Sequence, residues 1–353
     1  LELFYQQYLK QNKESIFLQS LKEPRKEYSW KDVYLNIKKL SQEISKHIKK
    51  GDRCLLVSEN RPEWMMSDLS IMLSGGVTVP AYTTYTERDY EYIIDDCTPT
   101  IIIISDKTLY EKIKNIIPKK NFIKKIIFFE TIENINDEFN LKIQDIFKRN
   151  KPDEQDFSNL KIQRRDMACI IYTSGTQGRP KGVMLSHGGI LNNCDGANQL
   201  LKTFISKKPK FLTWLPLSHS YEHTVQFVQI VVGARVFYAE SIDKLIKNMG
   251  DCSPEIMTAV PRFYQNLYQK INTSFFKVTG LKKILVKQTV KLGKKKLSKK
   301  NFSLIENLIN FICEKTIRKK IKSQFGGNLK AFISGGGALD AEVGSFLNAV
   351  GLP

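Results

Sequence analysis

Hydrophobic residues recur along the chain with two periods, and the clearest helical period lies near the N-terminus. The apolar positions there follow one another at spacings of four, three, four and four, at Val33, Ile37, Leu40, Ile44 and Ile48. Such spacing places all of these side chains on one face of an amphipathic helix. The pair Gly51-Asp52 follows and predicts the end of this helix.

Short apolar runs, typical of buried strands, alternate with further helical patterns along the rest of the chain. The predicted strands are 54–57, 77–82, 100–104, 124–129, 169–172, 211–215, 235–239, 255–260 and 329–333. The predicted helices are 63–73 after Pro62, 90–96, one from about His219, 242–249, one that begins at Pro261, and 341–349. This alternation predicts an α/β fold with a mostly parallel sheet. Residues 133–166 are polar and poorly periodic, so we place an approximate boundary there between two βαβ-type subdomains, 1–150 and 160–353.

The composition of the 353-residue chain is that of a folded globular protein, with 42% hydrophobic and 26% charged residues. It contains no run of about 18 uncharged apolar residues, so no transmembrane helix is expected. Its six cysteines are scattered without a CxxC pair, which predicts buried, reduced thiols rather than a disulfide or a metal site. We therefore expect a cytoplasmic location.

The formal net charge is +19, but lysine is abundant along the whole chain and only one stretch stands out locally. Residues 277–300 contain ten lysines and no acidic residue, with Val278, Leu281, Leu285 and Leu292 roughly on one helical face. A basic amphipathic helix could lie on the inner face of a membrane, or it could be the solvated face of a surface helical hairpin. Nucleic acid binding is not expected, because no recognition motif and no interleaved aromatic residues accompany the charge.

A loop rich in glycine and hydroxyl groups follows the strand at 169–172 and reads Thr173-Ser174-Gly175-Thr176-Gln177-Gly178-Arg179-Pro180-Lys181-Gly182. Its glycines allow a close approach to a ligand, and its hydroxyls, backbone N–H groups and Lys181 are donors that bind phosphates. It is not a Walker A loop, because Gly175 and Gly178 are three positions apart and Lys181 follows a proline. The alternative is an ordinary polar surface turn. Ser186 is a predicted N-cap for a helix that starts near His187.

Two later segments also place polar or glycine residues directly after predicted strands. In residues 214–223, Ser218 or Ser220 could cap the following helix, and His219 is either a structural histidine or part of a ligand site. In the second segment, Ser334 is followed by three glycines and Ala338. That stretch is either a turn at the end of a strand or a place where the main chain approaches a ligand closely.

The loop sequence YTSGTQGRPKGVMLSH resembles the phosphate-loop signature of the AMP-forming acyl-CoA synthetases. These belong to the adenylate-forming superfamily, which includes luciferases and peptide-synthetase adenylation domains. The motifs LPLSHSYEHT, VPRFY and SGGGAL follow in the family's order, and ENRPEW at 59–64 also looks like family sequence. The PLSHSYE turn and the lysine-rich insertion are similar to the long-chain fatty acid subgroup. The resemblance implies the large N-terminal domain of the adenylate-forming fold.

This resemblance also implies an activity, its cofactors and its site residues. The activity would be ATP-dependent conversion of a fatty acid to an acyl-adenylate and then to acyl-CoA, with ATP, Mg²⁺ and coenzyme A. The residues that bind the nucleotide phosphates would be Thr173, Ser174, Gly175, Thr176, Gly178 and Lys181. Of these, Lys181 and Thr176 would act in catalysis, and the Thr176 hydroxyl would approach the metal. The residues that line the adenylate and acyl pocket would be His219, Gly335, Gly336, Gly337 and Ala338.

The resemblance stops at the end of the sequence. Family members continue after SGGGAL with a segment that binds adenine and supplies a magnesium-ligating glutamate, then an aspartate that holds the ribose. A small C-terminal domain with a lysine used in adenylation follows. The chain ends at Pro353, so we expect 1–353 to be an incomplete N-terminal domain that lacks the C-terminal domain. The alternatives are an inactive fragment of such an enzyme and an enzyme that adenylates another carboxylic acid.

Overall fold

The computed structural model describes residues 2–132, 139–149, 152, 160–173 and 180–353. The chain forms two compact units, one made of Leu1–Lys202 with Pro216–Gly233 and the other made of Thr203–Leu215 with Ala234–Pro353. They are called unit 1 and unit 2 below.

Unit 1 is an α/β unit built around a mostly parallel sheet. Its strands are β1 (Ile16–Ser20), β2 (Glu27–Ser29), β3 (Arg53–Val57), β4 (Val77–Ala81), β5 (Ile101–Ile104), β6 (Lys125–Phe128), β7 (Asn140–Lys142), β8 (Met167–Thr173) and β9 (Lys181–Ser186). Its helices are α1 (Glu2–Lys10), α2 (Trp30–Ser45), α3 (Pro62–Leu73), α4 (Glu87–Cys97), α5 (Lys107–Glu111), α6 (Ile143–Lys148), α7 (His187–Leu201) and α8 (Ser220–Val231).

The sheet of unit 1 has the strand order β7-β6-β5-β3-β4-β8-β9. Every neighbouring pair is parallel except β8 with β9, which form an antiparallel hairpin. The central strands are apolar and buried, as in the run Ile101–Ile104. Because parallel strands end at the same edge of a sheet, β8 brings Thr173 to the edge where β3 and β4 also end. Open α/β sheets bind their ligands outside this carboxyl edge.

The helices of unit 1 follow the predicted hydrophobic pattern closely. All the apolar positions of the predicted first face are buried, from Val33 to Ile48. The helix itself, α2, ends at Ser45 rather than at Gly51, and turns follow at residues 46–47 and 50–51. Pro62 is the first residue of α3, as predicted, and α3 is buried along its whole length.

The polar segment 133–166 lies within unit 1 rather than between the two units. Its described part contains β7 and α6, and β8 then pairs in parallel with β4. The chain therefore returns to the same sheet after the polar segment, and most of the apolar residues of β8 are buried there. Residues 160–202 belong to unit 1 as a result, whereas the predicted subdomains grouped them with the second half.

Unit 2 is a second parallel α/β unit. Its strands are β10 (Lys210–Thr213), β11 (Arg235–Tyr238), β12 (Ile256–Ala259) and β13 (Ala331–Ser334). Its helices are α9 (Leu245–Cys252), α10 (Pro261–Phe276), α11 (Gly280–Leu297), α12 (Leu304–Cys313), α13 (Lys319–Gln324) and α14 (Ala341–Ala349). These strands lie in the order β13-β12-β10-β11 and pair in parallel, so their carboxyl ends share one edge.

The lysine-rich stretch forms helix α11, but its apolar positions do not form one free face. Leu292 is buried, whereas Leu281 is 85% exposed. Helix α14 packs against α11 closely enough that a Cβ on Gly293 would lie 2.4 Å from the Ala349 carbonyl oxygen. Neighbouring helices therefore cover part of the apolar side of α11, and the membrane contact predicted for 277–300 stays a prediction.

Two further expectations concern the cysteines and the membrane. All six cysteines are free and buried, which confirms the prediction of buried thiols. Among the residues that the structure describes, no helix is both long enough and apolar enough to cross a membrane.

Candidate active site

The predicted phosphate loop joins the two strands of the β8–β9 hairpin. Thr173 is the last residue of β8 and Lys181 the first of β9, and the strand register places them directly opposite each other. Both are exposed. Residues Ser174, Gly175, Thr176 and Gly178 lie outside the described residues, so their predicted roles stay predictions. The hairpin thus presents a hydroxyl and an ammonium group side by side at the base of the loop.

Lys181 has no competing counter-ion among the described residues, since no acidic side chain there forms an ion pair with it. An exposed ammonium group beside a hydroxyl can bind an anion such as a phosphate. The arrangement therefore fits the phosphate-binding role that the sequence predicts for Lys181 and Thr173.

Tyr172 anchors the end of β8 from below. Its ring is buried, and its hydroxyl donates a hydrogen bond to the carboxylate of Asp96 at the end of α4. Burial, followed by this hydrogen bond, raises the pKa of Tyr172 well above its ordinary value, so the phenol stays protonated. Gly182 crosses above this ring, and a Cβ there would lie 2.8 Å from Ile170 Cγ2 and 3.3 Å from Tyr172 Cζ. A residue larger than glycine at position 182 would therefore require the Ile170 side chain to shift.

The return strand β9 leads directly into α7. The Ser186 hydroxyl accepts a hydrogen bond of 3.1 Å from the Gly189 N–H, which confirms its predicted N-cap role. The next residue, His187, is the first of the helix, and its N–H donates to the Asp166 carbonyl at 3.1 Å. Burial lowers the pKa of His187 below its ordinary value. Both ends of the hairpin are therefore fixed to the body of unit 1.

The turn before α8 is held by hydrogen bonds to and from its own residues. His219 is the N-cap of α8, and its Nδ1 accepts a hydrogen bond of 3.2 Å from the Tyr221 N–H. The prediction that Ser218 or Ser220 caps this helix was wrong, because the helix starts one residue after His219. The Leu217 N–H donates to Asn60 Oδ1 at 3.0 Å, which ties the turn to the loop after β3. His219 thus has the structural role that one interpretation gave it, and its role beside an adenylate stays a prediction.

A buried ion pair below this turn was not identified from the sequence. His223 Nε2 lies 2.7 Å from Asp68 Oδ2, and the Gln226 amide donates to the same oxygen at 2.8 Å. Burial by itself lowers the pKa of His223, but Asp68 outweighs it and, with Cys169, raises the pKa to about 10. His223 is therefore a cation that joins α8 to α3 and to the strand that carries the phosphate loop. The only sequence signal was its position four residues after His219, on the same helical face.

In unit 2, the glycine-rich motif and the VPRFY motif lie side by side. Strands β12 and β13 pair in register up to Ala259 and Ser334, and the Gly335 N–H donates to the Ala259 carbonyl at 3.1 Å. Gly336 has a φ of +75°, a conformation that favours glycine. A Cβ on Gly337 would lie 3.5 Å from Pro261 Cγ, which is ordinary contact. Gly336, Gly337 and Ala338 are exposed.

Trp214 brings a third motif to the same edge of unit 2. Its Nε1–H donates to the Thr258 carbonyl at 2.7 Å, and its ring centroid lies 5.2 Å from that of Phe263. The end of β10, the start of α10 and the glycine turn after β13 therefore meet at the carboxyl edge of the sheet. This edge can offer backbone groups and a flat apolar surface to a ligand.

The described residues alone do not form a metal site. No group of three or more histidine, cysteine, aspartate or glutamate side chains is arranged there to hold a metal ion. The predicted metal-facing residue, Thr176, lies outside the described part of the chain.

Comparison with known proteins identifies relatives of this arrangement. The sequence model for AMP-binding enzymes matches residues 5–353. The chain is 28% identical over 309 residues to fatty acyl-CoA synthetase A of Dictyostelium discoideum, covering 86% of this chain and 45% of that protein. It is 28% identical over 332 residues to long chain acyl-CoA synthetase 3 of Arabidopsis thaliana, covering 91% of this chain and 50% of that protein. The chain thus spans about half the length of these curated relatives.

Solved structures with the same fold confirm the predicted fold class. The crystal structure of ATP-bound MatB from Rhodopseudomonas palustris matches with a TM-score of 0.68 at 19% identity, covering 98% of this chain and 57% of that chain. The N-terminal domain of FACL13 from Mycobacterium tuberculosis matches with a TM-score of 0.68 at 15% identity, covering 97% and 70%. The fold is that of the N-terminal domain of adenylate-forming enzymes. With a family match that extends from residue 5 to residue 353, the chain belongs to the AMP-binding enzyme family.

Proposed function

We propose that the protein containing this chain activates a long-chain fatty acid with ATP, first to an acyl-adenylate and then to an acyl-CoA. The names of the curated relatives, fatty acyl-CoA and long chain acyl-CoA synthetases, support this substrate class. The observation that carries the proposal is the pairing of Thr173 with Lys181 at the base of the phosphate loop.

A carboxylate is a poor acyl donor, so it is first activated by reaction with ATP. This activation needs a site for the triphosphate of ATP. In the first step a carboxylate oxygen would attack the α-phosphorus of ATP, and the bond from that phosphorus to pyrophosphate would break. Negative charge then grows on the departing pyrophosphate. Positioned donors aimed at this charge lower the barrier, and loss of one donor typically costs about 3 kcal/mol, or about a hundredfold in rate.

Lys181 and Thr173 are suited to that task. We assign the Lys181 ammonium to the β- and γ-phosphates and the Thr173 hydroxyl to a phosphate oxygen, with loop N–H groups as further donors. Ser174, Gly175, Thr176 and Gly178 would complete the cradle. Mg²⁺, when bound, would neutralise phosphate charge, with Thr176 as the predicted neighbour.

We assign the acyl part of the intermediate to residues of the other two motifs, the turn before α8 and the glycine turn after β13. His219, Gly335, Gly336, Gly337 and Ala338 are the proposed lining of the adenylate and acyl pocket. The exposed turn of Gly336 and Gly337 supports this, since backbone without Cβ atoms lets a bulky ligand approach closely. In the second step the thiol of coenzyme A would attack the acyl carbon, and AMP would leave.

A panel of carboxylic acids tests the proposal on the full-length protein. Pyrophosphate release is measured with long-chain, medium-chain and short-chain fatty acids, an aryl acid and amino acids. The proposal predicts the highest kcat/KM for a long-chain fatty acid. A clear preference for an aryl or amino acid would assign the protein to another adenylating activity, and no release with any acid would indicate an inactive relative.

A further inference from the structure

Helix α12 carries an apolar ridge that no described part of the protein covers. The members of this apolar ridge are large side chains exposed to between 42% and 90%, namely Leu304, Ile305, Leu308, Phe311 and Ile312. Their spacing of one, three, three and one places them on a single helical face. Soluble proteins rarely expose such a contiguous apolar patch unless it binds a partner or a membrane.

The opposite face of α12 is the one that packs on the protein. Glu306 is paired with Lys295 of α11 at 2.7 Å, and the Cys313 sulfur lies 3.7 Å from the Leu285 carbonyl oxygen. These contacts join α11 and α12 as an antiparallel hairpin. The apolar ridge therefore faces away from α11 and is exposed to solvent.

Both ends of the apolar ridge are strongly basic. Before α12, residues 294–300 contain five lysines and no acidic residue. After it come Lys315, Lys319 and Lys320, all exposed at the surface. Three nearby carboxylates are already paired, Glu306 with Lys295, Glu314 with Lys322 and Glu342 with Lys294. The surface around the ridge thus has an excess of positive charge.

This combination favours a lipid surface over a protein partner. Lysine is depleted in protein–protein interfaces, where its flexible, strongly hydrated side chain is costly to order. By contrast, helices that lie in the membrane interface combine an apolar face with flanking lysines, which reach anionic headgroups while the apolar side chains enter the acyl region. The charge of the ridge ends is complementary to an anionic phospholipid surface.

We propose that the apolar ridge of α12 docks the protein on a membrane that contains anionic phospholipid, with the lysines at its two ends on the headgroups. The contact differs from the one expected from the sequence, since α12 supplies the apolar side chains and the end of α11 supplies charge. The proposal deepens the proposed function, because long-chain fatty acids partition into membranes. Vesicle binding is nevertheless measured without ATP or fatty acid, so failure of either proposal is seen separately.

The test is co-sedimentation of the full-length protein with two kinds of vesicle, phosphatidylcholine alone and an equal mixture of phosphatidylcholine and phosphatidylglycerol. We expect binding to the mixed vesicles and much weaker binding to phosphatidylcholine. The double variant Leu308→Asp/Phe311→Asp should weaken binding by about tenfold or more. It removes two apolar side chains from the ridge and adds two negative charges, which the anionic lipid repels. Binding should also fall as salt rises.

A matched control uses two exposed apolar residues at another surface, Ile242→Asp/Ile246→Asp, which should bind vesicles like the wild type. Circular dichroism melting verifies that both double variants are folded. A Leu308→Trp variant gives a second measurement, a blue shift of the emission of the introduced indole when vesicles are added. Equal binding by ridge and control variants would overturn the proposal. So would a ridge variant that changes the oligomeric state instead, or an indole emission in Leu308→Trp that is already blue-shifted without lipid.

Discussion

Thr173 and Lys181 face each other as the terminal residue pair of the β8–β9 hairpin, and the intervening loop carries the remaining predicted phosphate ligands. The pair is held in place by buried structure below it, because Tyr172 is hydrogen-bonded to Asp96 and Gly182 packs on the Tyr172 ring. The backbone that carries Thr173 and Lys181 is therefore held by the protein's own contacts. Such preorganisation is what electrostatic stabilisation of a leaving pyrophosphate requires.

The first prediction concerns the charge of Lys181. In the full-length protein, Lys181→Ala should lower kcat for fatty-acid-dependent pyrophosphate release by about a hundredfold, because one preorganised cation is lost. The KM for the fatty acid should change little. A control at an exposed lysine of α5, Lys107→Ala, removes the same charge and should leave the rate unchanged. Equal rates for wild type and the Lys181 variant would contradict the assigned role.

The second prediction separates two glycines of unit 1. Gly182→Ala should destabilise the protein by about 1–3 kcal/mol, because the new methyl group overlaps Ile170 and the Tyr172 ring. Gly196 is an exposed residue within α7 and has no atom within 4 Å of a built Cβ. Gly196→Ala should therefore stabilise the protein by about 0.5–1 kcal/mol through the lower entropy of the unfolded chain. Urea unfolding of both variants measures the difference, and equal effects would argue against the tight strand contact.

The third prediction concerns the pH dependence caused by the pair of His223 and Asp68. The folded-state pKa of His223 is about 10, above its ordinary value of 6.5. The pair's contribution to stability is thus fully present below about pH 6.5 and is lost as pH rises through about 10. Asp68→Asn should destabilise the protein by about 3 kcal/mol or more near neutral pH, because it removes one partner of a buried pair.

Urea unfolding between about pH 6 and about pH 10 measures this pair. Over this pH range, the free energy of unfolding should decrease more for the wild type than for the Asp68→Asn variant. The exposed Asp243→Asn serves as the control and should keep the wild-type pH profile. Parallel pH profiles for wild type and Asp68→Asn would show that His223 does not titrate against Asp68.

The fourth prediction addresses the glycine turn of unit 2. Ala338 is exposed directly after the turn, so Ala338→Trp adds bulk without loss of a buried contact. If this turn lines the acyl pocket, the variant should raise the KM for a long-chain fatty acid by about tenfold or more. The KM for ATP and the melting temperature should stay near the wild-type values. Lys247→Trp on α9 is the control for an added indole, and an equal rise in both variants would count against the pocket assignment.

The sequence was sufficient for the elements with a strong period. The buried face of α2 and the start of α3 at Pro62 follow from residue spacing and from the fixed φ of proline. Strand β8 was likewise predicted from its apolar run, and the N-cap at Ser186 from its residue type. These features depend on interactions between residues close together in the chain.

The missed features depend on distant or unpartnered residues. His223 and Asp68 are 155 positions apart, and no local pattern relates them. The hairpin β1–β2 is built from short strands whose pairing is not visible in a helical or alternating pattern. Helix α12 has an ordinary apolar pattern, and sequence alone does not indicate that its face is left exposed. The same holds for the candidate site. Its loop motif was recognised from the sequence, whereas the contacts of Tyr172 with Asp96 and of His223 with Asp68 were not.

The position of the triphosphate in a crystal of the full-length protein with a non-hydrolysable ATP analogue tests the central claim most directly. The account predicts the β- and γ-phosphates at the end of the β8–β9 hairpin, with Lys181 Nζ and Thr173 Oγ1 within hydrogen-bond distance. A nucleotide bound elsewhere, with Lys181 turned away from every phosphate, would contradict it.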